Sequence, residues 1–203
     1  FACLCTRDSP GKMPTIHLPV RRAAMIARWK PVHRGHAVVL RALSGICEEL
    51  IIGLGSSNIL DARSPFSAAE SEEMVRRVLG PRPGLSFCAL PDLFDGPRWR
   101  AMVVESLPAV DLLFTGNRYV RDLLRNDFQV LHPVQLLSES ERMALNASQV
   151  RAAMGRGEDW RSLVPPEVAI YLEQEGIVDR VVSRWGAELA DPDAGRSTDP
   201  KPG

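Results

Sequence analysis

The sequence of 203 residues lacks a charge excess of either sign and lacks any long apolar run. Lys and Arg together number 25, as do Asp and Glu, so the formal net charge is zero. No global charge therefore points to a nucleic-acid or membrane partner, and any basic site must be local. The absence of a stretch of ~18 apolar residues predicts no membrane span. The length suits one domain of ordinary size.

Cysteine is scarce, with four residues in the chain. Cys47 and Cys88 lie inside apolar patterns and are interpreted as small core residues. Cys3 and Cys5 could ligate a metal, but the other ligands of a zinc site are missing, so no protein-held metal is predicted. Nothing resembles a disulfide framework. A reducing compartment, the cytoplasm, is therefore expected.

The two ends of the chain differ in composition from the middle. The chain begins with Phe, residues 1–12 carry no apolar core of a signal peptide, and Met13 is a plausible natural start. We expect residues 1–20 to be a disordered or non-native extension. Residues 187–203, rich in Pro, Gly, Ser and charge towards the end, are predicted to be a disordered tail. The folded domain is expected to span residues 21–186.

Short apolar runs alternate with amphipathic patterns through that domain. Such a rhythm predicts βαβ units and an α/β fold with a five-stranded parallel sheet, helices on both faces and a helical C-terminal segment. Ligands of such sheets bind beyond the carboxyl ends of the strands. The predicted strands are residues 23–28, 50–53, 85–90, 110–115 and 128–131. The predicted helices are residues 35–49, 67–79, 99–107, 118–124 and most of the chain from 146 onwards, with a break at residues 165–166.

The strongest chemical signal is residues 27–36, Ala-Arg-Trp-Lys-Pro-Val-His-Arg-Gly-His, between the first strand and the first helix. Gly35 permits close approach of a ligand to the backbone, and the free N–H groups of a helix start suit phosphate. His33 and His36 are three residues apart and share one face of that turn. The alternative is that both histidines are polar residues at a surface turn.

Two further segments make physical sense as ligand sites. Residues 53–57 end the second strand with small residues, so a ligand can lie close to the backbone, although an ordinary turn would look the same. Asn146 is positioned to cap the last helical region, with Gln149 as its partner in a capping box. Free N–H groups there, together with Ser148 and Arg151, would form a second phosphate seat. A plain helix cap is the alternative.

Together these segments resemble the nucleotidylyltransferase superfamily, with its His-x-Gly-His signature and Rossmann-like fold. The resemblance is closest to archaeal-type nicotinamide mononucleotide adenylyltransferases and runs over residues 24–181. Residues 64–70 (Ser-Pro-Phe-Ser-Ala-Ala-Glu) and 114–117 (Phe-Thr-Gly-Asn) support it in the right order. The resemblance implies transfer of AMP from ATP to nicotinamide mononucleotide, giving NAD and pyrophosphate.

The resemblance also implies a set of site residues. The catalytic group would be His33, His36, Arg28 and Lys30. The ATP-binding residues would be Ala27, Arg28, Trp29, His33, Gly35, His36, Gly116, Asn117, Asn146, Ser148 and Arg151. The acceptor-binding residues would be Gly55, Ser56, Phe66, Asp95 and Trp99, with Trp99 stacking on the nicotinamide ring or serving as a core residue. Mg²⁺ would be held mainly by the ATP phosphates. A homo-oligomer without nucleic-acid or membrane partners is expected.

Two departures from the family pattern bear on the acceptor. Ser71 stands where the family usually has a phosphate-binding Arg, and Gly96 stands where it often has an Asn that helps to recognise the carboxamide. Lys30 could replace the lost charge, and Asp95 could bond the carboxamide. Other phosphorylated acceptors therefore remain open: nicotinate mononucleotide, a phosphopantetheine arm or a sugar phosphate. A weakly catalytic nucleotide-binding sensor is the alternative from a different class.

Overall fold

The apolar runs form a five-stranded parallel sheet in a computed structural model that describes residues 20–191. The strand order is β3-β2-β1-β4-β5, so β1 is central and the chain crosses it between β3 and β4. The predicted fold class is confirmed. The strands are β1 (Val20–Ala27), β2 (Cys47–Gly55), β3 (Leu85–Leu90), β4 (Leu112–Phe114) and β5 (Val130–Leu131).

Helices connect the strands and complete the domain. They are α1 (Arg34–Ile46), α2 (Ala68–Leu79), α3 (Gly96–Ser106), α4 (Arg118–Leu124), α5 (Ala147–Arg156), α6 (Pro166–Gln174) and α7 (Ile177–Ala190). Short 3-10 helices cover Pro133–Leu136, Glu139–Glu141 and Arg161–Leu163. No helix in the described range is long and apolar enough to cross a membrane.

Alternate residues of β1 face two separate apolar clusters. Ala23 and Met25 belong to the larger cluster, which includes buried residues of α1, α2 and α5 to α7. Ala24 and Ile26 belong to the smaller one, with residues of α3 and α4. Because side chains of a strand alternate between faces, the two clusters lie on opposite sides of the sheet. Both faces are therefore covered, as the continuous apolar strands predict.

The boundary between α1 and β2 lies earlier than predicted. The helix ends at Ile46, and residues predicted as its last turn already belong to β2. Glu49 pairs in register with Arg22 of β1 and accepts a hydrogen bond from its Nε at 2.5 Å. This cross-strand ion pair accounts for the polar residue Glu49 in a strand whose apolar run starts at Leu50.

The fold extends beyond both predicted domain boundaries. Val20 begins β1 and is buried, and α7 continues to Ala190 with Leu189 buried. The predicted start of a disordered tail at residue 187 is therefore wrong for the residues of this helix. The expectations for residues 1–19 and 192–203, including Cys3, Cys5 and Met13, lie outside the described residues.

The last helix packs against α5 at Gly155. A Cβ at this position would lie 2.6 Å from the backbone nitrogen of Ala190 and 2.7 Å from the carbonyl oxygen of Gly186. Real carbon atoms do not approach backbone so closely, so only glycine permits this separation of the helices.

Candidate active site

A cavity of about 860 Å³ opens at the carboxyl ends of β1, β2 and β4. This is the edge where the chain turns from one side of β1 to the other, and it is where open parallel sheets bind ligands. Nearly all the predicted site residues line it. They are Ala27, Arg28, Trp29, Lys30, His33, Gly35, His36, Gly55, Ser56, Asp95, Trp99, Gly116, Asn117, Asn146, Ser148 and Arg151.

Phe66 is the predicted site residue that does not line the cavity. Its side chain is fully buried in the larger apolar cluster. The prediction that Phe66 contacts the acceptor is therefore wrong, and the side chain packs in the core instead. The segment from Ser64 to Phe66 is buried throughout and leads into the cap of α2 at Ser67.

The two histidines of the signature form a stacked pair at the start of α1. Nδ1 of His33 accepts a hydrogen bond from the backbone N–H of His36 at 3.3 Å, so His33 caps the helix. The ring centroids lie 3.8 Å apart, and the ring of Trp29 lies 4.9 Å from that of His36. These contacts contradict the alternative that the two histidines are merely polar residues at a surface turn. Nδ1 of His36 is buried and has no partner among the described residues.

Burial sets the charge of this pair. It lowers the pKa of His33 from 6.5 to about 4. Burial, and then the adjacent His33, lowers the pKa of His36 well below its ordinary value. Both rings are therefore neutral at neutral pH in the absence of a ligand. Because Nδ1 of His33 accepts a hydrogen bond, the proton of the neutral ring is assigned to Nε2, which can donate to a ligand.

Trp29 and Lys30 tie the signature turn to the end of β2. Trp29 lies in the left-handed region at a φ of 57° and donates from its indole nitrogen to the carbonyl of Gly53 at 3.0 Å. The ammonium of Lys30 is buried and donates to the carbonyls of Ser56 and Ile59, both at 2.8 Å. Burial lowers its pKa. The ammonium of Lys30 therefore binds backbone carbonyls, whereas the sequence analysis predicted that it would contact the ATP phosphates.

Two arginines present positive charge to the cavity. Arg151 donates to the carbonyl of Lys30 at 2.7 Å and to the hydroxyl of Ser148 at 2.9 Å. Burial, and then the charge of Arg28, lowers its pKa to about 10, so it stays a cation. Arg28 is exposed, and its guanidinium makes no hydrogen bond or ion pair within residues 20–191. It is free to contact a ligand.

The predicted capping box at the start of α5 is present. Asn146 Oδ1 accepts from the N–H of Gln149 at 3.1 Å, and Gln149 Oε1 accepts from the N–H of Asn146 at 2.8 Å. Ser148 and Arg151 follow within the first turns. The helix start thus faces the cavity with a hydroxyl, a guanidinium and the positive end of the helix dipole.

The end of β4 supplies the wall beside α4. Asn117 caps α4 by accepting from the N–H of Tyr119 at 2.9 Å. A Cβ on Gly116 would lie 3.8 Å from Nε2 of His132, which also lines the cavity. Burial, and then the charge of Arg121, lowers the pKa of His132.

The end of β2 and the start of α3 form the opposite side. Ser56, at a φ of 53°, donates its hydroxyl to Asp92 at 2.7 Å. Asp95 caps α3 by accepting from the N–H of Arg98 at 2.9 Å. Trp99 is 8 % exposed, belongs to the smaller apolar cluster and lines the cavity. The core position of Trp99 is confirmed, and its stacking on a nicotinamide ring stays a prediction.

Several cavity residues escaped the sequence analysis. The most polar of them are Arg63, Asp92, Tyr119, His132 and Arg142. Arg63 and Asp92 follow β2 and β3, so the rule about strand ends could have found them. Arg142 lies in an irregular segment before α5, where no periodicity marks it. Arg63 offers an exposed cation, whereas Ser71 is fully buried with its hydroxyl on the Ser67 carbonyl.

Known proteins similar to this chain are nicotinamide-nucleotide adenylyltransferases of archaea. The protein of Methanococcus vannielii is 32% identical over 77% of this chain and 91% of its own length. That of Methanocorpusculum labreanum is 36% identical over 80% of this chain and 96% of its own. That of Thermococcus kodakarensis is 32% identical over 80% of this chain and 87% of its own length. No protein-family model matches the chain.

Solved structures support the fold. A bifunctional NMN adenylyltransferase/ADP ribose pyrophosphatase from Francisella tularensis, complexed with AMP and an Mn ion, superposes with a TM-score of 0.62 at 14% identity. The match covers 81% of this chain and 52% of that protein, so this chain spans about half its length. Identity this low supports the fold alone. The archaeal relatives, aligned over most of their length, carry the assignment, and the chain belongs to the nicotinamide-nucleotide adenylyltransferase family.

Proposed function

We propose that the protein transfers AMP from ATP to nicotinamide mononucleotide and releases NAD and pyrophosphate. One observation carries the proposal. The stacked pair His33 and His36 at the start of α1 shares a single cavity with Ser148 and Arg151 at the start of α5. Two helix starts with neutral and cationic donors suit a triphosphate. Family membership supports the same reaction.

The reaction is a direct displacement at phosphorus. A phosphate oxygen of the acceptor forms a bond to the α-phosphorus of ATP, and the bond between that phosphorus and the α,β-bridging oxygen breaks. The bridging oxygen leaves with pyrophosphate and carries the electron pair. Such a step needs positioning and stabilisation of charge rather than a protein nucleophile.

The cavity supplies donors for that charge. Nε2 of His33 can donate to an α- or β-phosphate oxygen, with His36 stacked beside it. Arg28, Arg63 and Arg151 contribute positive charge around the same space. Because the histidines lie in a low-dielectric environment, their hydrogen bonds to a phosphate are stronger than they would be in water.

The nucleotide would enter as its magnesium complex. Within residues 20–191 no group of three or more His, Cys, Asp and Glu side chains could hold a metal ion. We treat the divalent ion as part of the substrate, coordinated by phosphate oxygens and water. The Francisella structure was complexed with AMP and an Mn ion, which supports use of a divalent ion.

The test is product formation with purified protein, ATP and Mg²⁺. NAD should form from nicotinamide mononucleotide, and the variant His36→Ala should lose ~100-fold or more in kcat, the scale of losing one charge-stabilising donor. The comparison variant is His132→Ala, which removes another imidazole of the same cavity at its edge beside Gly116, where a weaker effect is expected. Near-normal turnover of His36→Ala would reject this role for the histidine.

The acceptor is decided by a parallel assay. Product from nicotinate mononucleotide alone would move the enzyme to the deamidated substrate. ATP binding without product from either mononucleotide would favour another phosphorylated acceptor or the sensor alternative. The convergence of His33, His36 and Arg151 on one cavity weighs against the sensor alternative.

A further inference from the structure

Tyr119 occupies the space that a side chain at position 96 would need. A Cβ built on Gly96 would overlap the Tyr119 hydroxyl oxygen and lie 3.5 Å from Leu123. Gly96 begins α3, and Tyr119 lies in the first turn of α4. The glycine therefore permits the tyrosine, because any larger residue at position 96 would displace the hydroxyl.

The position of Tyr119 is defined by its helix. Asn117 caps α4 by accepting from the N–H of Tyr119, which fixes the backbone at that point. Val120 and Leu123 of the same helix pack against the apolar cluster that contains Trp99. The side chain is thus carried by a packed helix, although 61% of it is exposed.

The hydroxyl has no partner of its own. Within the described range it makes no hydrogen bond to another residue, and Tyr119 lines the cavity together with Asp95, Gly96 and Trp99. Asp95 uses Oδ1 to cap α3, which leaves Oδ2 available. A neutral donor and an anionic acceptor therefore lie beside Gly96 in the cavity that Trp99 also lines.

We propose that the Tyr119 hydroxyl, admitted by Gly96, binds the ring substituent of the acceptor. The inference rests on the proposed function and deepens it. A carboxamide presents a carbonyl oxygen and an NH₂ group, which match a hydroxyl donor and a carboxylate acceptor. Both side chains are exposed in the free protein, and a bound ring between them would cover them. Loss of the hydroxyl would then leave a substrate group unpaired, which lowers discrimination between acceptors.

The test compares Tyr119→Phe with the wild type in steady-state kinetics. The variant should lower kcat/KM for nicotinamide mononucleotide by about 10-fold, mainly through KM, while KM for ATP stays unchanged. The matched control is Tyr171→Phe, which removes the other tyrosine hydroxyl of the chain, at a residue that does not line the cavity, and should leave both constants unchanged.

A second pair of variants tests whether a side chain at position 96 and the Tyr119 hydroxyl compete for the same position. Gly96→Asn should lower kcat/KM for the acceptor at least as much, because both side chains cannot occupy one position. Adding Tyr119→Ala to it should recover activity, since the amide then takes the vacated space. Wild-type kcat/KM in Tyr119→Phe, or an equal rise in KM for ATP, would overturn the inference while leaving the proposed function intact. A wild type that makes no dinucleotide would overturn both.

Discussion

Burial determines the behaviour of the key histidine at the scale of the residue. His33 is 6% exposed, and its pKa lies at about 4 in the folded protein against an ordinary 6.5. Between these two values the unfolded chain binds a proton that the folded chain does not. The free energy of unfolding should therefore fall as the pH drops from about 6.5 to about 4.

The variant His33→Asn checks this dependence. Asparagine keeps an N-cap but does not titrate, so the free energy of unfolding should depend less on pH across this window. Denaturant unfolding of both proteins at pH 7 and pH 5 measures the difference. His36 still titrates in the variant, so a reduced slope is expected rather than a flat profile. If the free energy of unfolding changed equally with pH in the wild type and in His33→Asn, burial would not be lowering the pKa of His33.

Lys30 and Arg28 should separate stability from chemistry. The ammonium of Lys30 satisfies two backbone carbonyls, so Lys30→Met should cost about 1–3 kcal/mol in the free energy of unfolding. Arg28 is exposed and makes no hydrogen bond, so Arg28→Met should leave stability unchanged and lower kcat/KM for ATP. Thermal unfolding and steady-state kinetics on both variants distinguish these roles. A stable Lys30→Met with impaired turnover would restore the catalytic role that the sequence suggested.

At the scale of the element, the start of α5 combines a helix cap with the donors that we propose bind the ATP phosphates. Asn146→Ala should cost about 1 kcal/mol in stability through loss of the capping box, and it should also raise KM for ATP. Ser67→Ala removes a box of the same type on α2, at a residue that does not line the cavity. It should cost similar stability and leave KM for ATP unchanged. Equal kinetic effects in the two variants would argue against a nucleotide role for α5.

The elements also show what sequence can predict. The strands β1 to β4, the capping box of α5 and the convergence of Arg28, His33, His36 and Arg151 follow from local pattern and the rule about strand ends. The role of Lys30 does not, because its partners Ser56 and Ile59 are distant in sequence. Phe66 was misplaced for the same reason. Its burial depends on packing of α2 and neighbouring elements, which no local motif records.

At the scale of the whole molecule, nucleotide binding should stabilise the domain. A ligand that binds only the folded state adds RT ln(1 + [L]/Kd), which is about 2.7 kcal/mol at 100 times Kd. Saturating MgATP should therefore raise the Tm of the wild type, and Arg151→Ala should reduce this shift. Differential scanning fluorimetry measures both. An unchanged Tm in the presence of MgATP would contradict nucleotide binding. The homo-oligomer expected from the sequence stays a prediction, and the molar mass from size-exclusion chromatography with light scattering can check it.

The contact at Gly155 links the last helix to the chemistry. α7 contributes no residue to the cavity, yet its backbone meets α5 where only a glycine fits. On α5, Arg151 lies about one turn and Ser148 about two turns before Gly155, so the contact with α7 helps to position both side chains in the cavity. The helix α7 thus acts as a spacer for α5, and a side chain added at position 155 would shift Ser148 and Arg151 without altering either residue.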